Sequence, residues 1–88
     1  MVALETAALE EAYRFAHEQL EVIDPDAALD RLSLDADLTT LDLDSVSMLS
    51  LVAALEDRYG VRVPEAELLR VRTMRRLLEL VVDPGAEA

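Results

Sequence analysis

This sequence predicts an all-α fold, a small four-helix bundle of three longer helices and one short one with a long first connection. Three observations carry that prediction. Apolar residues recur at spacings of three and four in three separate stretches, the period that places side chains on one face of a helix. The 2 Gly and 3 Pro fall between those stretches or after the last one, not inside them, where such residues punctuate helices. The apolar residues are mostly Leu, Ala and Val, with no alternating run long enough for a paired strand, and Leu and Ala favour helix. At 88 residues there is room for one domain, expected over 1–83 with a flexible tail at 84–88.

The first helix is expected over 3–22, with Leu9, Ala12, Ala16 and Leu20 as its inward stripe. Tyr13 and Phe15 flank that stripe and are expected to fill the ends of the core. His17 has no Cys, second His or spaced carboxylate to make a metal site with it, so neither metal binding nor base catalysis is assigned to it. Ile23-Asp24-Pro25 stops the helix, because proline disfavours helical geometry in the residue before it, and Asp24 with Pro25 suits a short new turn. From 32 to 44 the leucines Leu34, Leu38, Leu41 and Leu43 alternate with Asp35, Asp37, Thr39, Thr40, Asp42 and Asp44. A connection of that length is unusual unless it is pinned or functional, and here the leucines can pin it. A calcium loop starting at Asp35 would need Gly at position 40 and Glu at 46. The chain has Thr40 and Val46, so that motif is rejected, leaving only loose attraction of divalent cations.

The second helix is expected over 45–59, ended by Gly60 in a left-handed cap. At 100° per residue, Met48, Leu51, Val52, Leu55 and Tyr59 share the core arc. Val46, Leu49 and Ala53 form a second apolar group beside Ser45, among Ser47, Ser50, Glu56 and Asp57. Spacing leaves two readings open for this group, packing under a neighbouring segment or an exposed contact surface. Val61-Arg62-Val63 reads as an extended link that tucks two valines inward, and 64–69 as a short helix opened by Pro64 and Glu65. Thr73 is placed to cap the last helix over 74–82, with Met74, Leu77, Leu78 and Val81 inward and Pro84-Gly85 as its stop.

Charge excludes several functions. The net charge is −11, from 19 acidic and 8 basic residues, which argues against nucleic acid or an anionic membrane as the main partner. Residues 1–57 hold fourteen of the carboxylates and two of the arginines. The later Arg70, Arg72, Arg75 and Arg76 are read as a solvated, internally paired face rather than a phosphate site. No apolar run spans a bilayer and the first residues lack signal-peptide character, so a cytoplasmic protein is expected. Cysteine is absent, which removes disulfides and thiolate metal sites. No nucleophile has a partnered base, so no enzyme is expected and no catalytic residue is assigned.

Ser45 stands where the acidic connection meets the second helix. A serine there is ordinarily a cap, but a helix start also favours a phosphoester through its free N–H groups and dipole. Leu41-Asp42-Leu43-Asp44-Ser45-Val46, then Leu49, Leu51-Val52, Leu55-Glu56 and Tyr59-Gly60-Val61-Arg62-Val63-Pro64, resembles the Asp-Ser-Leu region of acyl carrier proteins. With the short helix and the Thr-capped last helix, the resemblance covers most of the chain. It implies a stand-alone, monomeric carrier whose Ser45 takes 4′-phosphopantetheine from coenzyme A through a phosphopantetheinyl transferase, with Asp44 as the adjacent motif residue. The arm's thiol would carry acyl intermediates as thioesters between enzymes such as an acyltransferase, a ketosynthase or an acyl-activating enzyme. A type II polyketide, fatty-acid or related specialised pathway is the expected setting.

Two departures from the family pattern bear on partners. Asp42 stands where members commonly have Gly three residues before the serine, which makes the approach stiffer and more negative. Ser47 and Ser50 stand where fatty-acid carriers are commonly acidic, so steering is expected to rest on Asp44, Glu56, Asp57 and the preceding loop. The expected partner surface is Val46, Leu49, Ala53, Glu56 and Asp57. A peptidyl or aminoacyl carrier, which usually shows Gly-Gly-x-Ser, and a cofactor-free acidic adaptor are the alternatives.

Overall fold

In the computed structural model, which describes residues 2–27, 29–41 and 43–82, helix α1 (Val2–Ile23) lies against both α2 (Ser45–Tyr59) and α4 (Met74–Val82), with the four-residue α3 (Glu65–Leu68) in the link between the last two. Ala12, Ala16 and Leu20 of α1 are fully buried and Leu9 packs beside them. Two alanines in that stripe keep the α1 surface low where the other helices cross it. The last backbone bond of α1 runs from Asp24 N–H to Leu20 C=O at 2.9 Å, and a turn closed by Ala27 N–H to Asp24 C=O follows through Pro25.

The long first connection contains two short 3-10 turns, Leu29–Arg31 and Leu38–Thr40. Leu38 and Leu41 are buried and Leu34 and Leu43 pack against the core. Backbone bonds also tie the connection to the start of α4. Leu38 N–H donates to Arg72 C=O at 2.8 Å and Arg75 N–H to Leu34 C=O at 2.7 Å, while Asp37 and Thr73 form an isolated antiparallel bridge. Arg75 adds a two-pronged contact to the Asp35 carboxylate at 2.7 and 3.1 Å. That pair holds the Asp35 carboxyl below its ordinary range.

Leu51, Val52 and Leu55 of α2 are buried, with Met48 and Tyr59 half-buried around them. Gly60 closes the helix at φ 64°, its N–H donating to Glu56 C=O. A Cβ there would meet nothing within 4 Å, so the backbone conformation, not space, calls for glycine. In the link that follows, Val63 is buried and Val61 half-buried. Thr73 Oγ1 accepts from Arg76 N–H at 3.2 Å as the cap of α4. Met74, Leu77, Leu78 and Val81 are almost wholly buried, and Leu80 joins them. Each such side chain contributes about 1.5–3 kcal/mol by leaving water.

Tyr13 and Phe15 are half-buried at the core margin. The Tyr13 hydroxyl donates to Leu32 C=O at 3.0 Å, and the Arg58 guanidinium lies 4.6 Å from the Phe15 ring centre. Asp42, the Pro84-Gly85 stop and the tail at 84–88 lie outside the described residues. Among the described residues no helix is long and apolar enough to cross a membrane.

Candidate functional site at the start of helix α2

Asp44, not Ser45, is the cap of α2. Its backbone is extended (φ −86°, ψ 172°) and its Oδ1 accepts from Ser47 N–H at 2.7 Å, which satisfies one of the orphan donors of the first turn. Ser45 is therefore the first helical residue. Its side chain is exposed, and among the described residues its hydroxyl has no hydrogen-bond partner. The Ser47 N–H contact comes first among the causes that hold the Asp44 carboxyl below its ordinary range. The Ser47 hydroxyl is also close to Asp44, but its single proton is directed to Asp24 Oδ2 at 3.0 Å, so at Asp44 the backbone N–H is the contact that matters.

Ser47 differs from its expected place. Instead of standing on the outer surface as a neutral substitute for an acid, it is buried at 5% exposure. Its hydroxyl reaches the end of α1 through Asp24, while its N–H is held by Asp44. One residue thus joins the start of α2 to the end of α1. Nothing local in the sequence marks this, because the partner is 23 positions away.

Val46 and Leu49 are 72% and 61% exposed, and Ala53 is exposed as well. Of the two readings left open by spacing, packing under a neighbour does not hold for these three. Ser45 and Leu49 are four residues apart and so lie on one face of α2. Asp57 is exposed further along, whereas Glu56 is half-buried and its Oε2 accepts from Val63 N–H at 2.7 Å. That carboxylate fastens the link after α2.

The other candidates lie elsewhere. An open groove of about 480 Å³ runs along α1 past Glu10, Glu11, Arg14 and Phe15 to Arg58, and Arg58 pairs with Glu11 at 3.5 Å. None of the expected site residues lines it. His17 Nδ1 is 3.7 Å from Glu21 Oε1. Arg75 and Arg76 lie near Asp35 and Glu79 respectively, and among the described residues no group of acidic or His side chains could hold a metal ion.

Residues 15–81 match the family described as "Phosphopantetheine attachment site". That span covers α2, α3 and nearly all of α4, and more than half of the chain. The chain belongs to the acyl carrier protein family. Among its relatives, an acyl carrier protein of Renibacterium salmoninarum is 33% identical over 69 residues, covering 75% of this chain and 85% of the relative. An acyl carrier protein homolog of Ureaplasma parvum is 34% identical over 56 residues, 64% of this chain and 73% of the relative. An acyl carrier protein of Micrococcus luteus is 28% identical over 71 residues, 77% and 85% respectively.

An acyl carrier protein is a carrier and not an enzyme, and phosphopantetheine is its cofactor. It works with a phosphopantetheinyl transferase and with acyl-processing enzymes. The residues present fit the cofactor, which needs a reachable serine hydroxyl. Ser45 offers one that is exposed and relieved of capping, while the Ser47 hydroxyl is buried and engaged. When bound, the cofactor supplies the thiol that this cysteine-free chain lacks.

Proposed function

We propose that Ser45 is the attachment point and that the protein carries acyl groups as thioesters between enzymes of a polyketide, fatty-acid or related specialised pathway. The observation that carries this is the division of labour at the start of α2. Asp44 accepts the Ser47 N–H, which leaves the exposed Ser45 hydroxyl free for an incoming phosphoryl group. The dipole and remaining N–H groups of α2 favour the resulting negative charge. Ser33 and Ser50 are also exposed, but Ser33 lies in the first connection and Ser50 in the second turn of α2, away from those N–H groups. Val46, Leu49, Ala53 and Asp57, with Glu56 behind them, form the face that partners approach. Asp44 keeps the helix start rigid beneath them. The absence of acids from the first turn of α2 favours a dedicated carrier of specialised metabolism over a general fatty-acid one. A net charge of −11 opposes self-association and suits a cytoplasmic monomer.

Incubation with coenzyme A and a phosphopantetheinyl transferase of broad specificity tests the attachment point. Intact mass is expected to rise by one phosphopantetheinyl group, and Ser45→Ala is expected to abolish the gain with its helical circular dichroism unchanged. Modification mapped to Ser33, Ser47 or Ser50 would move the site.

A further inference from the structure

The start of a helix is one of its least constrained parts, because its first N–H groups have no partner inside the helix and a terminal turn opens at little cost in free energy. Ser45 occupies that position in α2, with its side chain in solvent. Two residues later comes Ser47, the one buried polar side chain among the described residues. Its two hydrogen bonds differ in what they can hold. The N–H bond to Asp44 Oδ1 at 2.7 Å spans three residues, so cap and turn can move together without breaking it. The hydroxyl bond to Asp24 Oδ2 at 3.0 Å spans 23 residues, and any shift of the turn relative to α1 breaks it.

Asp24 is a well-anchored acceptor. Its N–H donates to Leu20 C=O at 2.9 Å, closing the end of α1, and its C=O accepts from Ala27 N–H at 3.0 Å, closing the turn that follows. Pro25 comes next, and its ring fixes one backbone angle of that turn. The carboxylate that receives the Ser47 hydroxyl therefore sits on a corner bonded on both sides, while the serine it holds sits in a turn that is otherwise secured by its own cap.

On the reading that Ser45 is the attachment serine, we infer that Asp24 and Ser47 are positioning residues for its modification: their hydrogen bond keeps the first turn of α2 closed against the end of α1, so that the Ser45 hydroxyl is presented in one place. Neither side chain takes part in the phosphoryl transfer. A transferase that accepts only the closed turn has its apparent affinity lowered by the fraction of molecules in which the turn is open. Loss of the contact therefore raises KM and leaves kcat unchanged, since every bound molecule has the turn closed.

The test uses the unmodified protein, coenzyme A and a broad-specificity phosphopantetheinyl transferase, with initial rates followed by intact mass. Asp24→Ala removes the acceptor without altering α2. It is expected to raise KM about threefold, because one hydrogen bond shifts an opening equilibrium by about fivefold, and to change kcat less than about 1.5-fold. Asp24→Asn removes the same charge but keeps a side-chain oxygen that can accept, and its KM is expected to stay within about 1.5-fold of the wild type. Tyr13→Phe deletes a hydrogen bond of similar kind, to Leu32 C=O at 3.0 Å between α1 and the first connection. It is expected to lower the melting temperature comparably and leave KM unmoved. Met48 N–H donates to Asp44 C=O at 3.0 Å, and its hydrogen exchange is expected to be about fivefold faster in Asp24→Ala than in Tyr13→Phe. A KM raised equally by Asp24→Asn and Asp24→Ala assigns the effect to charge at the transferase, and overturns the inference while leaving Ser45 as the attachment point. A KM unmoved in Asp24→Ala, or raised as much by Tyr13→Phe, makes the contact a matter of global stability alone and overturns it too, as does equal Met48 exchange in those two variants. No mass gain at Ser45 in the wild type overturns the attachment reading and this inference together.

Discussion

Leu49 and Leu51 are two residues apart on α2, and they live in opposite environments. Leu49 is 61% exposed and Leu51 is fully buried. Two residues turn a helix by about 200°, so the same side chain faces α1 and α4 in one case and solvent in the other. Leu51, Val52 and Leu55 on the inner face hold the bundle together, while Val46, Leu49 and Ala53 on the outer face follow Ser45 and stand in solvent. Residue type does not separate the two faces. Angular position does, and it gives one helix a buried face and an exposed apolar face of almost the same composition.

Leu51→Asp places an unpaired charge where it cannot be solvated, at a cost of about 4 kcal/mol or more. The whole domain has stability on the order of 5–10 kcal/mol, so this variant is expected to be unfolded or close to it at physiological temperature. Leu49→Asp keeps its charge in water and is expected to change stability by less than about 1 kcal/mol. It should still suppress modification of Ser45. Melting curves and modification rates for the two variants, run side by side, make the comparison. Unfolding by both would put the outer stripe in the core; normal folding and normal modification of Leu49→Asp would leave that stripe without a role.

The inner face of α2 has one polar member. Ser47 is buried and donates its hydroxyl to Asp24 at 3.0 Å, which joins the helix start to the end of α1. Ser47→Ala removes that bond and leaves the backbone bond to Asp44 in place. A net loss of about 1 kcal/mol is expected, or a melting temperature lower by about 4–8 °C for a domain of this size. Ser50→Ala, on the exposed side, should leave the melting temperature nearly unchanged. Equal effects of the two would mean that the Asp24 contact contributes nothing to stability.

The elements legible in the sequence are those whose signal is local and periodic. The bounds of α2, the Gly60 cap, the Thr73 cap and the inner stripes of α1, α2 and α4 all follow from spacing or from a terminal residue type. The resemblance around Asp44-Ser45 pointed to the family that the matched span 15–81 establishes. What stayed hidden depends on distant partners. The 3-10 turns Leu29–Arg31 and Leu38–Thr40 are too short to show a period. Ser47 lies four residues before Leu51, on the inner side of the helix, but a serine there gives no sign that Asp24 awaits it. Glu56 looked like a surface acid because its acceptor role requires the link after Gly60 to fold back until Val63 N–H meets it. The attachment of the first connection to α4 through Leu38 and Arg72 likewise leaves no mark in either segment alone.

Both faces of α2 begin at its cap, Asp44. Asp44 has its carboxyl held below its ordinary value of 3.8, first by the Ser47 N–H. A group depressed in the folded state stabilises the fold fully above its unfolded value, and that stability is lost as pH falls through the folded one. The contribution of ionised Asp44 is therefore complete at neutral pH and is lost only in acid, below about pH 4. Asp35 and Asp37 act with the same sign, through Arg75 and through the Thr39 hydroxyl respectively, so the wild type should show a limb of falling melting temperature in that range. Asn caps a helix nearly as well as Asp. Asp44→Asn is thus expected to melt close to the wild type at pH 7, less only the attraction of a negative charge for the helix start, and to show a shallower acid limb. Asp44→Ala loses the acceptor itself and should melt lower at both ends of the range. If Asn at this position were as harmful at pH 7 as Ala, charge and not the hydrogen bond would be holding the first turn. An acid limb unchanged in Asp44→Asn would instead assign the loss to the carboxylates of the first connection, and the helix start that presents Ser45 would then be insensitive to pH.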